Sequence, residues 1–317
     1  MFARLQRMRA LGAYFRRQSL VERPCPVCDA SDPRGVVAGD RDFLGIRTAQ
    51  CKACGFVFSS PFYSAAVIEE FYRSGYRAVF KGEPDPVAFI ARQRNLTERA
   101  EWFMNFLRGH DILPQRGGSV LDVGCAEGTL VGSLRENRPD LRLEGVEPEP
   151  AYARNVTAAH GIRVHSSLNA IEHDHRFDLV VSIHVLEHVS APLHMLREIR
   201  QRMTPDGYLL VDVPDVARYA SIEDLHLAHC NHFSEHTLAL ALERAGLRAL
   251  EVGSHAPATL PASVFAVAAP SRSPITRDPV TFDPSGVAVA ARLARLNTSR
   301  LSYFVSLLRR KLLPRAA

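Results

Sequence analysis

The feature that most constrains this chain is a short apolar run followed at once by a glycine-rich turn. Residues 119–123 read Ser-Val-Leu-Asp-Val, a pattern typical of a buried strand. Gly124, Ala126 and Gly128 follow at alternate positions, and a helical pattern begins after them. Small residues between a strand and a helix N-terminus let a ligand approach unpaired backbone N–H groups. The stretch therefore predicts a nucleotide-binding loop in an α/β fold.

The spacing and charge of this loop restrict the nucleotide that it can bind. A dinucleotide fingerprint would have glycine in the places of Ala126 and Thr129. Asp122 lies just before the turn, where it would repel a pyrophosphate. A second predicted strand, over residues 141–148, carries Glu147 at its end, about 20 residues past the loop, where a carboxylate can bind ribose hydroxyls. These charges favour a cationic ligand without phosphate.

Four motifs in this order resemble the class I S-adenosylmethionine-dependent methyltransferases. The family's D-x-G-x-G-x-G pattern corresponds to residues 122–128, with Ala126 in place of the middle glycine. Glu147 is the second motif, and residues 177–189 (FDLVVSIHVLEHV) are similar to the family's fourth strand and the helix after it. The stretch from residue 196 to residue 211 is the fourth motif. The resemblance covers roughly residues 115–268.

The resemblance implies which residues bind the methyl donor, S-adenosylmethionine. Asp122 would face its methionine end, Glu147 its ribose and residues 166–168 the adenine edge, while the backbone after the fourth strand would border the transferable methyl group. The implied cofactor-binding residues are Asp122, Gly124, Cys125, Ala126, Gly128, Glu147, Ser167, Leu168, Ile183 and His184.

Predicted strands and helices alternate beyond the loop, which indicates a parallel sheet with helices on both faces. Further strands are predicted over 162–167, 177–183, 208–214, 247–255 and 263–270, which completes a seven-stranded, doubly wound Rossmann-like sheet. A helix over 234–245 is predicted to be capped by Ser234 and ended by Gly246. If the family resemblance holds, the last strand runs antiparallel.

The sequence divides into six predicted segments. They are a basic amphipathic segment (1–20), a zinc ribbon (21–62), a helical lid (63–114), the S-adenosylmethionine-binding methyltransferase domain (115–269), a linker (270–286) and a basic amphipathic C-terminal helix (287–317). The first segment is either a solvated terminus or a contact for an anionic membrane or a partner. The last either packs on the body or lies on an anionic bilayer.

Four cysteines predict a metal site ahead of the α/β domain. Cys25, Cys28, Cys51 and Cys54 have the spacing C-x₂-C-x₂₂-C-x₂-C, and Gly55 allows the second pair a left-handed turn. Four thiolates form a closed tetrahedral site suited to structural Zn²⁺. A redox role is less well supported, because there are two pairs and no thioredoxin-like context. The arrangement resembles sugar methyltransferases that carry a zinc-binding module before the cofactor domain.

The acceptor side of the site is predicted from histidines that follow strand ends. His188, His229 and His232 are the candidate catalytic residues, because a histidine can deprotonate a hydroxyl at neutral pH. The alternatives are that these residues cap helices or contact no substrate, or that His226, His229 and Cys230 bind a metal. Tyr72 and Tyr76 of the lid share a helix face, either toward substrate or for packing.

These patterns predict a methyltransferase that acts on a small molecule. The resemblance points to a hydroxyl or carbon of a sugar, in a nucleotide sugar or a cell-surface glycan. Two alternatives stay open: an RNA or protein methyltransferase that docks through the ribbon and the basic ends, and a non-catalytic scaffold that binds the cofactor. The sequence Ser-Ile-His-Val-Leu-Glu from Ser182 lacks the motifs used on base amines and on cytosine C5.

Charge and hydropathy place further limits on partners. The chain has a formal net charge of +5, but arginine and lysine concentrate in residues 1–23 and 292–317, so the body between them is mildly acidic. Nucleic acid is therefore not expected in the cleft, although the basic ends could contact a membrane surface. The N-terminus lacks the apolar core of a secretory signal. Four of the six cysteines form metal-type pairs, with Cys125 and Cys230 left over, and this usage predicts a cytoplasmic protein.

Overall fold

The computed structural model describes residues 2–15, 17–42, 44–77, 79, 85–92, 96–257, 261–272 and 285–296. Most of the predicted linker, and the predicted C-terminal helix beyond residue 296, lie outside these residues. Apart from short 3₁₀ turns, the described elements are α1 (Phe2–Phe15), β1 (Pro33–Val37), β2 (Thr48–Cys51), β3 (Val57–Ser59), α2 (Ala65–Ser74), α3 (Pro86–Arg92), α4 (Leu96–Gly109), β4 (Ser119–Val123), α5 (Thr129–Asn137), β5 (Arg142–Val146), α6 (Pro150–His160), β6 (Arg163–His165), β7 (Phe177–Ile183), α7 (Pro192–Gln201), β8 (Met203–Pro214), β9 (Asn231–His232), α8 (Glu235–Arg244), β10 (Leu247–His255), β11 (Ser263–Pro270) and α9 (Ser285–Ala294).

The central sheet has seven strands in the order β10-β11-β8-β7-β4-β5-β6. β4 is parallel to β5 and β7, and β7 is parallel to β8. β11 is antiparallel to both of its neighbours. The predicted α/β fold, its seven strands and its antiparallel last strand are confirmed. α8 also begins and ends as predicted, since the Ser234 side chain accepts from the Thr237 N–H and Gly246 has φ +79°.

Continuous apolar strands allow this sheet to be covered on both faces. Side chains alternate across a strand, so Leu121 faces one side and Val120 the other. Leu121 packs in a cluster with Leu196 of α7 and Leu238 of α8. Val120 packs in a second cluster that includes Leu107 of α4. Burial on both sides explains why the strands read as apolar runs instead of alternating patterns.

The cysteine-rich segment forms a small antiparallel sheet in the order β1-β2-β3-β9. Its fourth strand, β9, comes from the loop after β8. His232 of β9 pairs with Val57 of β3, and Asn231 of β9 pairs with Phe58 of β3. The predicted ribbon over residues 21–62 therefore shares a sheet with residues assigned to the α/β domain. The ribbon is attached directly to a loop beside the carboxyl end of β8.

The two terminal segments pack on the body with apolar side chains. Leu11 and Phe15 of α1 are buried, and the Phe15 ring centroid lies 4.4 Å from that of Tyr63 and 5.1 Å from that of Phe71. The expectation of a solvated N-terminal segment is therefore wrong for this face of α1. At the other end, Val289 and Leu293 of α9 are buried in a cluster with ribbon side chains. Among the helices of the described residues, none has both the length and the hydropathy needed to cross a bilayer.

Arg23 joins the ribbon to the loops of the α/β domain. Its guanidinium donates to the carbonyl oxygens of Ser59 (2.8 Å), Ser190 (3.2 Å) and Cys230 (2.6 Å) and to the Asn231 side chain (3.1 Å). These acceptors belong to three segments that are far apart in the sequence. Because the fork is buried, each acceptor would lose a charge-assisted hydrogen bond if the guanidinium were removed.

We expect Arg23→Met to lower the free energy of unfolding by about 3 kcal/mol, since several carbonyls would lose a charged donor. Arg23→Lys should recover part of this loss, because an ammonium group cannot reproduce the planar fork. Urea unfolding of the metal-loaded protein, followed by circular dichroism, measures the change. Arg272→Met is the matched control, because Arg272 forms an exposed pair with Asp206. Equal midpoints for Arg23→Met and the control would contradict this role.

Candidate active site

A cleft of about 570 Å³ opens at the carboxyl ends of the parallel strands. Its floor is formed by the loops after β4, β5, β6 and β7, and its other walls come from α2, α4 and the start of α7. All of the predicted cofactor residues except Gly128 line it; these are Asp122, Gly124, Cys125, Ala126, Glu147, Ser167, Leu168, Ile183 and His184. Gly128 lies at the N-cap of α5, behind the loop.

The glycine loop has backbone conformations that explain its composition. Gly124 has φ +78°, and a Cβ added there would lie 2.5 Å from the Val185 side chain. Gly128 has φ +75°, where most side chains are strained. Ala126, the departure from the family pattern, has φ +48°. The left-handed region costs a non-glycine residue roughly 1 kcal/mol, so the cost of the alanine is conformational.

Glu147 lies at the end of β5 with its carboxylate held in place from several sides. Its Oε2 accepts the Ala126 N–H at 3.1 Å, and its Oε1 accepts the Glu149 N–H at 2.9 Å. Arg77, which follows α2, places a guanidinium nitrogen 3.7 Å from Oε2. Burial raises the pKa of Glu147, and the charge of Arg77 lowers it. The side chain therefore presents an oriented carboxylate to the cleft.

Asp122 is a buried carboxyl group in β4, two residues before Gly124. Burial, together with the charge of Glu147, raises the pKa of Asp122 to about 7, while Arg99 lowers it. The group is therefore divided between its neutral and ionised forms at neutral pH. A cation bound nearby would favour the ionised form, as expected for the site of a sulfonium ligand.

His188 and Tyr72 meet on the opposite wall of the cleft. His188 Nδ1 lies 2.6 Å from the carbonyl oxygen of Ala228 and 2.9 Å from the hydroxyl of Tyr72. The Tyr72 hydroxyl also donates to the Ala228 carbonyl at 2.8 Å. A carbonyl can only accept, so Nδ1 must carry the proton in this arrangement. The neutral ring of His188 then has its lone pair on Nε2.

Carboxylates and other histidines surround His188. The buried Glu187 places Oε1 3.6 Å from His188 Nε2 and 3.2 Å from His184 Nδ1. His184 Nε2 in turn lies 3.4 Å from the buried carboxylate of Asp212, which also contacts His255. His184 has φ +54°, an uncommon conformation at the end of β7 that aims its backbone along the cleft wall.

The structure brings two of the three predicted catalytic histidines together and places the third elsewhere. His188 lines the cleft. His229 lies beside it, with ring centroids 4.9 Å apart, and burial together with His226 and His188 lowers the pKa of His229 well below its usual value. His232 is buried in β9, away from the cleft lining, where its Nδ1 lies 3.0 Å from the Tyr219 hydroxyl. Burial lowers the pKa of His232 to about 3, so its ring is neutral at physiological pH.

Two groups of side chains in the described residues bring metal-ligand atoms within 4.8 Å of one another. The first is the predicted set Cys25, Cys28, Cys51 and Cys54, in which two Sγ–Sγ distances are 3.5 Å. The second is Glu187, His188 and His229. The alternative set with His226 and Cys230 is not one of them, and the Cys230 thiol instead points to the Val189 carbonyl.

The cysteine set fits a tetrahedral Zn²⁺ ion. Metal–sulfur bonds of about 2.3 Å in a tetrahedron place sulfur atoms about 3.8 Å apart, close to the distances found here. Each Cys-x-x-Cys turn is closed by a backbone hydrogen bond, from Asp29 N–H to Cys25 O (2.9 Å) and from Gly55 N–H to Cys51 O (3.0 Å). Gly55 has φ +77°, as predicted, and Asp29 adopts a similar conformation in the first turn.

Comparison with known families identifies the domain around the cleft. A family model described as a methyltransferase domain matches residues 92–252, about half of the chain. The chain therefore belongs to this methyltransferase family. The match confirms the class I S-adenosylmethionine-dependent methyltransferase domain that the sequence motifs predicted.

Two curated relatives are similar to this chain over only part of their length. A ubiquinone biosynthesis O-methyltransferase from Azorhizobium caulinodans is 31% identical over 113 residues, which cover 32% of this chain and 44% of the relative. A tRNA U34 carboxymethyltransferase from Trichodesmium erythraeum is 26% identical over 122 residues, 36% of this chain and 37% of the relative. The chain thus spans less than half of the length of these relatives.

A solved structure shows the same fold. The 1,6-didemethyltoxoflavin-N1-methyltransferase of Burkholderia thailandensis, with bound S-adenosylhomocysteine, superimposes with a TM-score of 0.51 at 16% identity. The superposition covers 76% of this chain and 99% of that one. At this identity the likeness concerns the fold alone.

We expect S-adenosylmethionine binding to release protons near pH 7, because its sulfonium would lower the raised pKa of Asp122. The release should fade at pH 9, where Asp122 is already ionised, and it should be smaller with S-adenosylhomocysteine, which lacks the sulfonium. Calorimetric titration in buffers of different ionisation enthalpy measures the number of protons released on binding. Asp122→Asn should remove this contribution; an unchanged release in that variant would assign the proton to another group.

Proposed function

We propose that this protein transfers the methyl group of S-adenosylmethionine to a hydroxyl oxygen of a small-molecule acceptor. The observation that carries the proposal is the position of His188 in the same cleft as the glycine loop, with its tautomer fixed by the Ala228 carbonyl. This arrangement gives the cleft a cofactor side and a side suited to removing a proton.

The residues present fit the cofactor. The backbone of Gly124 and Ala126 would cradle it, Glu147 would bind the ribose hydroxyls, and Asp122 would balance its positive charge. Ser167 and Leu168 would border the adenine, and Ile183 and His184 the reactive end. Bound S-adenosylmethionine supplies an electrophilic methyl group for an in-line displacement.

His188 is proposed as the general base for the acceptor hydroxyl. With Nδ1–H held by Ala228 and Tyr72, Nε2 is the nitrogen that can accept the proton. The carboxylate of Glu187, 3.6 Å from Nε2, would stabilise the imidazolium that forms. Tyr72 stays a neutral hydroxyl, since burial raises its pKa well above the usual value.

The cleft and one relative support the proposed class of acceptor. The proposed acceptor wall combines apolar surface with hydroxyl groups, and its side chains include Tyr72, Tyr76 and Met195. This combination suits an acceptor whose ring carries hydroxyl groups. The Azorhizobium relative is named for O-methylation, which supports an oxygen acceptor. The sugar hydroxyl implied by the zinc-ribbon resemblance remains the specific proposal.

Transfer of a labelled methyl group tests this function. The protein is incubated with labelled S-adenosylmethionine and a panel of nucleotide sugars, free glycosides, phenols and bulk tRNA. The proposal expects an O-methylated small molecule, identified by mass spectrometry. Labelling of tRNA alone would overturn it in favour of an RNA methyltransferase.

We expect His188→Asn to lower kcat by roughly 10²- to 10⁴-fold, the usual contribution of a general base. The dissociation constant for S-adenosylhomocysteine should stay within about twofold of the wild-type value, because His188 acts on the acceptor. His173→Asn, at an exposed site, is the matched control.

A chelator separates this mechanism from activation by a bound cation. If a brief EDTA treatment that leaves the zinc content intact also abolishes wild-type turnover, then Glu187, His188 and His229 act as ligands of a cation and not through a base. Unchanged turnover supports the base.

We further propose that Cys25, Cys28, Cys51 and Cys54 bind one structural Zn²⁺. The four thiolates would fill its coordination sphere, which leaves no position for substrate. Its role would be to hold the ribbon, and through β3 the strand β9, in place.

We expect one zinc per chain by elemental analysis, and Cys25→Ser should release it and lower the unfolding midpoint. Cys230→Ser is the control, since Cys230 is equally buried but lies outside the cluster; it should keep its metal. A Cys25→Ser protein that stays as stable as the wild type and loses only turnover would contradict a structural role.

A further inference from the structure

Arg77 connects the lid to the cofactor side of the cleft. It follows α2, and its side chain is only 9% exposed. Its guanidinium lies 3.0 Å from Glu127 Oε1, 3.7 Å from Glu147 Oε2 and 3.3 Å from Glu149 Oε2. One cation thus contacts three carboxylates, contributed by the glycine loop, the end of β5 and the start of α6.

The aromatic ring of Tyr152 completes the environment of this guanidinium. The Arg77 Cζ lies 4.0 Å from the ring centroid of Tyr152, which is itself fully buried in α6. A cation over an aromatic face in a desolvated site is stabilised by the ring quadrupole. Carboxylates therefore contact the edge of the planar guanidinium, and the Tyr152 ring contacts its face. A flexible surface arginine would not have contacts of both kinds.

We propose that Arg77 is a positioning residue that keeps the carboxylate of Glu147 ionised and oriented for the ribose of the cofactor. The inference rests on the proposed function, because it concerns how that cofactor is bound. Arg77 belongs to the predicted lid segment, residues 63–114, so the lid would contribute a cation to the cofactor site.

The hydrogen bonds of Glu147 show how the orientation would work. Its two oxygens each accept one backbone N–H, from Glu149 and from Ala126. Arg77 approaches the oxygen that also contacts Ala126. A carboxylate has about four acceptor positions, so lone pairs remain for two ribose hydroxyls. The backbone and Arg77 fix the rotation of the group, and the ribose then meets a preformed acceptor.

Electrostatics give the second part of the argument. Burial raises the pKa of Glu147, and the charge of Arg77 is the strongest influence that lowers it. The other titratable groups that interact with Glu147 are Glu149, Asp122, Cys125 and Tyr152, with Glu127 on the far side of Arg77 and Arg99 acting on Asp122. Without Arg77 the carboxyl group would hold its proton to higher pH, and affinity that needs the ionised form would fall as pH decreases.

Calorimetric titration with S-adenosylhomocysteine, without acceptor, tests the proposal in the metal-loaded protein. We expect Arg77→Met to raise the dissociation constant by roughly 10- to 100-fold at pH 8, the range for a buried charge-assisted contact. The ratio of variant to wild-type dissociation constants should grow further as pH falls to 6. Because the charge of Glu147 also affects the pKa of Asp122, the added pH dependence is assigned to Glu147 by its loss in a Glu147→Gln background.

Two further variants keep the test decisive. Arg77→Lys keeps the positive charge but not the planar fork, so the dissociation constant should rise less than in Arg77→Met and show little added dependence on pH. If Arg77→Met does not fold, Arg77→Lys takes its place in the test. In a Glu147→Gln background, loss of Arg77 should change binding by less than about twofold, because its effect acts through Glu147. Arg272→Met controls for the change in net charge.

The outcomes separate this inference from the function on which it rests. Two results would overturn the positioning role. One is that Arg77→Met binds S-adenosylhomocysteine as tightly as the wild type at every pH. The other is that loss of Arg77 weakens binding as much in the Glu147→Gln background as in the wild type. A pH-independent loss in Arg77→Met would mean that Arg77 only packs the lid, which also overturns it. Absence of binding by the wild-type protein would instead contradict the proposed function.

Discussion

Three neighbouring parallel strands, β5, β4 and β7, end side by side, and the candidate site depends on this alignment. Their hydrogen-bonded register brings the glycine loop, Glu147 and His184 to one edge of the sheet. The amides of Gly124 and Cys125 both donate to the Val146 carbonyl, which ties the loop to the end of β5. Because the strands are buried on both faces, the residues proposed to bind the cofactor are already in position in the structure without a ligand.

The acceptor side is built differently, from parts that meet only in the folded protein. Tyr72 comes from the lid, His188 from the segment after β7, and Ala228 from the loop after β8. Arg23 and Asn231 bind these loops to one another, with Asn231 donating to the carbonyls of Leu186 and Val189. Since β9 belongs to this loop and pairs with the ribbon, the proposed zinc site would support the proposed acceptor wall as well as its own small sheet.

Local patterns in the sequence predict most of the fold and the cofactor side. The glycine loop, Glu147, the Ser234 cap and the cysteine turns each depend on residues close together in the chain, so their spacing carries the information. Arg77, Arg23 and β9 could not be predicted, because their partners lie far away in the sequence and have no periodic pattern. His232 shows the same limit: its residue type suggested a base, but its pairing with Val57 and burial beside Tyr219 determine its role.

The most direct test of the account is a titration of the metal-loaded, folded protein with S-adenosylhomocysteine, with NAD as the comparison ligand. The account predicts one saturable site per chain for S-adenosylhomocysteine and none for NAD, whose pyrophosphate would meet Asp122 at the end of β4. Binding of NAD alone, or no binding of S-adenosylhomocysteine by protein with intact fold and metal content, would contradict it.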